Sequence, residues 1–198
     1  MLDAIIFDIG NVLLRFDFAQ TISRIAPLCS IAPAEIPARL EPWKVQLESG
    51  QMEGRAFLDK ATEVLGYTGP REALQKAWQE IFSPIAPMHT LVAELPMPLY
   101  LLSNTNNLHA EYFLSEYPVF QHFTNAVYSH EAGLMKPDPA IYHHALEKFG
   151  LSAQKTLFID DLLPNIEAAS ALGLLTHHYH HDRHAALLAD LRRLNVVR

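Results

Sequence analysis

The stretch Ile5-Ile6-Phe7-Asp8-Ile9-Gly10-Asn11-Val12-Leu13 carries an unbroken apolar run into a carboxylate and then turns at once through Gly-Asn. A short continuous apolar run is the signature of a strand covered on both faces. An acid at the tip of such a strand either begins a solvated turn or has a cationic partner and a task, because an unpaired buried carboxylate is too costly to keep. Three further segments favour the second reading. They are Leu101-Leu102-Ser103-Asn104-Thr105-Asn106, then Gly133-Leu134-Met135-Lys136-Pro137, then Leu157-Phe158-Ile159-Asp160-Asp161 with Asn165 beyond. A carboxylate, a hydroxyl, an ammonium and an acidic pair, each at or near a strand end, point to phosphate chemistry.

Working outward, the other apolar runs fall at residues 99–102, 126–128, 156–159 and 174–176, again short and continuous. Helical patterns lie between them at 107–117, 139–149 and 164–172, with Pro164 suited to a first turn and Gly173 to a stop. Alternating strand and helix predicts an α/β fold with a doubly wound parallel sheet. Ligands of such sheets sit beyond the carboxyl ends of the strands, which would bring Asp8, Ser103 and Asp160/Asp161 to one crevice. About ninety residues separate the first strand from the run at 99–102, too many for an ordinary crossover. Their helical stretches, near 18–28, 34–47, 55–65 and 70–82, predict an inserted helical cap subdomain at 16–84, leaving 1–15 and 85–198 as the core domain. A last helix at 184–194 would place Leu187, Leu188, Leu191 and Leu194 on one face.

With 198 residues, 49% of them hydrophobic and 19% charged, the chain can bury a real core. A net charge of −7 with no basic run argues against nucleic acid or an anionic membrane as partner, and no obligate protein partner is evident. Cys29 is single, so no intrachain disulfide is expected. The first strand starts without a charged leader, and no apolar run approaches a membrane span, so the cytoplasm is the expected compartment.

Along almost its whole length the chain resembles the haloacid dehalogenase (HAD) superfamily of phosphatases, with a Rossmann-like core. The wording Gly-Asn-Val-Leu after Asp8, Ser-Asn-Thr-Asn with His109 behind it, and Lys-Pro before Ile141-Tyr142 resembles a bacterial helical-cap subgroup that includes a sugar-1-phosphate phosphatase. The resemblance implies a Mg²⁺-dependent phosphatase acting on a small phosphorylated metabolite, with a sugar phosphate as the preferred class. Asp8 would be the nucleophile that forms an aspartyl-phosphate, and Ser103 and Lys136 would hold the phosphoryl group with the main-chain N–H groups of Asn104 and Thr105. Asp8, the Gly10 carbonyl and Asp161 would ligate the metal, with Asp160 and Asn165 orienting its waters. Many relatives carry a second Asp two residues after the nucleophile to protonate the leaving oxygen; here that position is Gly10. Loss of a general acid costs about 10² to 10⁴ in rate. Either another group supplies the proton, with His109 and then Asp17 as stand-ins, or the leaving group needs less help.

Two other readings have residues to stand on. A haloacid dehalogenase would use Asp8 without a metal, against which the Asp160-Asp161 pair would repel a carboxylate substrate. A metabolite-binding protein with weakened catalysis would explain Gly10. The run His177 to His184 holds five histidines in eight residues, yet a loop after a strand seldom has zinc geometry, so a polar sheet-edge loop is expected. Trp43, Trp78 and the phenylalanines of the cap are expected to form its core rather than a stacking platform, and at most Trp43, Lys44, Gln46 and Glu48, before the Gly50 turn, to face substrate.

Overall fold

Alternation along the strands decides how this molecule is layered. A computed structural model describes residues 2–197. Its main sheet comprises β1 (Ala4–Phe7), β4 (Leu99–Ser103), β5 (Asn125–Tyr128), β6 (Thr156–Asp160) and β7 (Leu175–His178) in the order β5-β4-β1-β6-β7, all parallel; β2 (Leu14–Phe16) and β3 (Phe82–Pro84) form a separate antiparallel ribbon. The helices are α1 (Phe18–Ile25), α2 (Ile36–Glu48), α3 (Gly54–Leu65), α4 (Arg71–Gln79), α5 (Ala86–Glu94), α6 (Asn107–Glu116), α7 (Ser129–Ala132), α8 (Pro139–Phe149), α9 (Leu163–Ala171) and α10 (His184–Arg193).

Ile5 and Phe7 of β1, Leu99 and Leu101 of β4, and Leu157 and Ile159 of β6 point to one side, where Met88, Leu91 and Val92 of α5, Phe113 of α6 and Leu187 and Leu191 of α10 cover them. The intervening residues Ala4, Ile6, Tyr100, Leu102 and Phe158 point to the other, against Ile141, Tyr142 and Ala145 of α8 and Ile166 and Ala169 of α9. Period-two alternation in strands that are apolar at every position produces two cores, one on each face. The fold is a doubly wound α/β sheet of Rossmann-like type. Chain order runs outward from β1 through β4 to β5, then returns to start β6 on the other side of β1. The direction of winding reverses there, which makes the strand ends around β1 the switch point at which such sheets bind ligands.

Helices α1 to α4 have an apolar core of their own, formed by Ile25, Ile36, Leu40, Leu47, Phe57, Leu58, Leu65, Leu74 and Trp78, to which α6 adds Leu108. The chain enters and leaves this helical insert through the β2–β3 ribbon, Arg15 pairing with Ser83, so the expected boundaries at 16 and 84 run through one paired element. Sequence reading missed that ribbon and α5. It also ended β7 two residues early, so His177 and His178 belong to the edge strand, opposite Ile159 and Asp160. Among the described residues no helix is long and apolar enough to cross a membrane.

Candidate active site

Asp8 follows β1 directly and its N–H donates to the Ile159 carbonyl at 2.9 Å, which carries the sheet pairing up to the carboxylate. The chain then folds over tightly: the Ile9 carbonyl accepts from Leu13 and Leu14 N–H at 2.9 and 3.0 Å, and Asn11 takes a left-handed φ of 51°. In that conformation, which Asn tolerates better than most residues, its Nδ2 donates to Asp161 Oδ2 at 3.0 Å. The turn after Asp8 and the acidic end of β6 are thus tied together.

Lys136 enters from the segment before α8, with its side chain 1% exposed and its Nζ 2.9 Å from Asp8 Oδ1 and 2.6 Å from Asp160 Oδ2. Asp160 also accepts from the Leu162 N–H at 2.8 Å and from Asn165 Nδ2 at 2.9 Å. Burial raises the Asp8 carboxyl to about 6, with Asp160 adding to the rise and Lys136 and Ser103 opposing it. Burial would pull Lys136 down, but the two carboxylates outweigh it and the ammonium is held above its ordinary value. Asp161 is raised by burial against the pull of its Asn11 hydrogen bond.

Carboxylate oxygens of Asp8, Asp160 and Asp161 lie within 4.8 Å of one another, and this is the one such metal-ligand set of His, Cys, Asp or Glu among the described residues. Three carboxylates against one ammonium leave two uncompensated negative charges in a buried place. An all-oxygen donor set with that deficit fits a hard divalent cation such as Mg²⁺.

A cavity of about 290 Å³ reaches the residues that follow Asp8 and those at the end of β4, its lining taking in Gly10 and Ser103 rather than the acids themselves. Gly10, Ser103, Asn104 and Thr105 line its floor, the ribbon residues Phe16 and Phe82 its side, and α2 and α4 its roof. The α2 lining is Pro37, Leu40, Glu41, Lys44 and Glu48, one face of the helix at three- and four-residue spacing. Trp43 and Gln46, expected to face substrate, lie outside that row. Trp43 packs on the insert's own core, as expected of it and of Trp78, with Lys60 Nζ 4.8 Å from the Trp43 ring centre.

Several expectations for individual residues need correction. His109 lines the cavity, but both ring nitrogens are spent: Nε2 is 2.9 Å from the Trp78 carbonyl and Nδ1 is 3.0 Å from Asn106 Nδ2. Burial lowers its pKa to about 4, so it is a neutral, anchored ring with no free proton to give. Asp17 is exposed and caps α1 by accepting from the Ala19 N–H at 2.9 Å. The Thr105 N–H, expected to meet phosphate, donates to Ser129 Oγ at 2.9 Å. Asn104 clamps the lysine segment from both sides, its Nδ2 donating to the Lys136 carbonyl at 2.9 Å and its Oδ1 accepting the Lys136 N–H at 2.8 Å. The histidine run disperses its side chains: His177 bonds Asp190 at 2.8 Å, His178 bonds the Asp161 carbonyl at 2.8 Å and His184 meets the Tyr179 hydroxyl at 3.2 Å. Asn11 and Ser129 were not singled out from sequence; Asn11 had a signal in its place after Gly10, while Ser129 had none.

Residues 2–173 match the haloacid dehalogenase-like hydrolase family. The chain belongs to that family. Within it, the chain is 28% identical over 188 residues to the sesquiterpene phosphatase astK of Aspergillus oryzae, covering 88% of each protein. Among solved structures, the HAD family enzyme BT-2542 of Bacteroides thetaiotaomicron, in complex with magnesium and inorganic phosphate, superposes with a TM-score of 0.76 at 25% identity, over 89% of this chain and 93% of that one. A predicted HAD-like family hydrolase from Porphyromonas gingivalis matches with a TM-score of 0.80 at 26% identity, over 95% and 98%. This HAD-like chain is therefore a hydrolase, with phosphatase relatives and an acidic cluster suited to the metal seen in a relative.

Proposed function

We propose that the protein is a Mg²⁺-dependent phosphatase that works through an aspartyl-phosphate on Asp8. The observation that carries this is the ion cluster itself: Lys136 bridges Asp8 and Asp160 while an Asp161 carboxylate oxygen lies within 4.8 Å of oxygens of both acids. Asp8, Asp161 and the Gly10 carbonyl would hold the cation, with Asp160 and Asn165 around it. When bound, Mg²⁺ supplies positive charge to the phosphoryl oxygens and lowers the cost of ionising Asp8. Lys136, held in place by Asn104, would pair with the phosphoryl group, and Ser103 would donate its hydroxyl to it. Ionised Asp8 would attack phosphorus, and water would then hydrolyse the acyl phosphate. A dehalogenase taking a carboxylate substrate is less well supported, since the two uncompensated charges would repel it.

The substrate is a small phosphorylated metabolite. A sugar phosphate remains supported by the polar residues Glu41, Lys44 and Glu48 on the cavity roof. A second reading, a phosphate ester with an apolar leaving group, is favoured by the walls: Phe16, Phe18, Leu40, Ile81 and Phe82 face the cavity, and Phe16 keeps 49% of its surface exposed. The sesquiterpene phosphatase relative is consistent with that class. The test is phosphate release from sugar, prenyl and aryl phosphates, with Mg²⁺ and with EDTA, for wild type beside Asp8→Asn. Turnover should need the metal and fall by more than about 10³-fold in the variant; release that survives both changes sinks the mechanism.

A further inference from the structure

Position 10 poses a problem that the cavity answers. The room for a side chain there is tight, since a Cβ on Gly10 would sit 3.3 Å from the half-exposed Phe16 ring, which would have to yield by a few tenths of an ångström. An acid next to Asp8 is thus replaced by hydrocarbon, while His109 and Asp17 are engaged elsewhere. We propose that the Glu48 carboxyl donates the proton to the leaving-group oxygen and then serves as base for the hydrolytic water. This rests on the phosphatase reading above and assigns it a residue.

Glu48 is placed for the task by its backbone. Ser129 Oγ donates to the Glu48 carbonyl at 2.6 Å while accepting the Thr105 N–H at 2.9 Å, so the last residue of α2 stands one hydroxyl away from the segment that follows Ser103. Just beyond the helix end the Gly50 backbone approaches the His130 carbonyl of α7 so closely that a Cβ there would clash with it. From there the Glu48 side chain lines the same cavity as Gly10, Ser103 and Asn104. Its neighbours on the helix row are Glu41 and Lys44, which pair with each other at 3.8 Å. No hydrogen bond or ion pair to the described residues engages its carboxyl.

The charges bearing on it are Lys44, which favours ionisation, and Glu41, which opposes it. Of the elements packed on α2, α7 directs His130 Nδ1 to the Thr105 carbonyl at 3.2 Å, and α3 pairs Lys60 with Glu63 at 2.8 Å. Burial dominates and raises the Glu48 carboxyl to about 7. A carboxyl poised near neutrality can both give and take a proton, as general acid–base catalysis needs.

The proposed steps balance. As an Asp8 oxygen bonds to phosphorus and the bond from phosphorus to the leaving oxygen breaks, the Glu48 proton passes to that oxygen, releasing an alcohol and a Glu48 carboxylate. In the second step water attacks phosphorus, its proton returns to Glu48, and the bond to Asp8 breaks to give inorganic phosphate and the Asp8 carboxylate.

The test compares wild type, Glu48→Gln and Glu48→Asp at saturating Mg²⁺ from pH 5 to 9. Single-turnover release is followed for a nitrophenyl phosphate, phenyl phosphate and a primary alkyl phosphate, with melting curves for each protein. Glu48→Gln should melt like wild type, release nitrophenol at nearly the wild-type rate, and lose about 10²- to 10⁴-fold on the alkyl ester. It should also lose the pH limb near neutrality, and Glu48→Asp should restore part of both. An equal loss on all three esters, or an unchanged pH profile, overturns the assignment. Activity that survives Asp8→Asn would instead overturn the phosphatase reading on which the assignment rests, which keeps the two failures apart.

Discussion

His109 illustrates how a residue that looks catalytic in sequence becomes structural in the fold. Its ring stacks on Trp78 at 5.3 Å between centres, and its two nitrogens bond Asn106 and the Trp78 carbonyl. Its folded pKa of about 4 lies below the ordinary 6.5 because burial penalises the charged form. Between those values the unfolded chain binds the extra proton and the folded chain does not, so stability rises with pH across that window. It is fully present above about 6.5 and lost as pH falls towards 4, by about 3 kcal/mol for this group. Denaturant titrations of wild type and His109→Gln at pH 7 and pH 5 check this: the wild type should lose more stability on acidification than the variant. At the same scale, the residues proposed to carry the chemistry, Asp8, Ser103, Lys136, Asp160 and Asp161, stood out because each sits beside a hydrophobic strand end or a proline. Ser129 did not, because a hydrogen bond to a residue 81 positions away leaves no local trace, and for Asn11 the Gly-Asn turn showed the place but not its bond to a residue 150 positions away.

Helix α2 shows the same division at the level of an element. Its existence could be read from the run between Pro33 and Gly50, but the row Leu40, Lys44 and Glu48 that meets the cavity depends on how the helix is rotated against α3 and α7. That rotation is set by close contacts. Gly50 has a φ of 74°, and a Cβ there would clash with the His130 carbonyl. Gly54 donates its N–H to Asn107 Oδ1 at 3.1 Å, and a Cβ on it would come within 2.5 Å of the Leu108 side chain. Gly50→Ala should therefore destabilise the protein by about 1 to 3 kcal/mol through backbone strain and a displaced helix end. It should also lower turnover, since α2 carries the roof of the cavity. Melting temperature and phosphate release measured on the same preparation would check both; a variant with wild-type values in each would show that the α2–α7 contact positions nothing.

For the whole molecule, the balance of charge at the crevice couples metal to stability. Asp8, Asp160 and Asp161 converge from β1 and β6 with only Lys136 to offset them, a mutual repulsion the fold bears because core packing on both faces of the sheet holds the strand ends together. A cation that binds the folded form alone stabilises it by mass action. Mg²⁺ should raise the melting temperature above pH 6, where Asp8 is ionised, and EDTA should reverse the gain. Asp161→Asn should weaken Mg²⁺ affinity by at least about 10- to 100-fold, the effect of disturbing even outer-sphere partners. A Mg²⁺-induced shift identical in Asp161→Asn would place the cation elsewhere.

The sequence by itself determined the doubly wound sheet, the helical insert and the acids, hydroxyl and lysine beyond its strands, because short apolar runs and their bordering polar residues are local patterns. The tertiary structure alone decided which of those polar groups are free. It used up both nitrogens of His109 and the N–H of Thr105, set the Phe16 ring against Gly10, and turned Glu48 into the cavity. Partnering and helix rotation follow from contacts between distant segments, and no stretch of sequence holds both sides of such a contact.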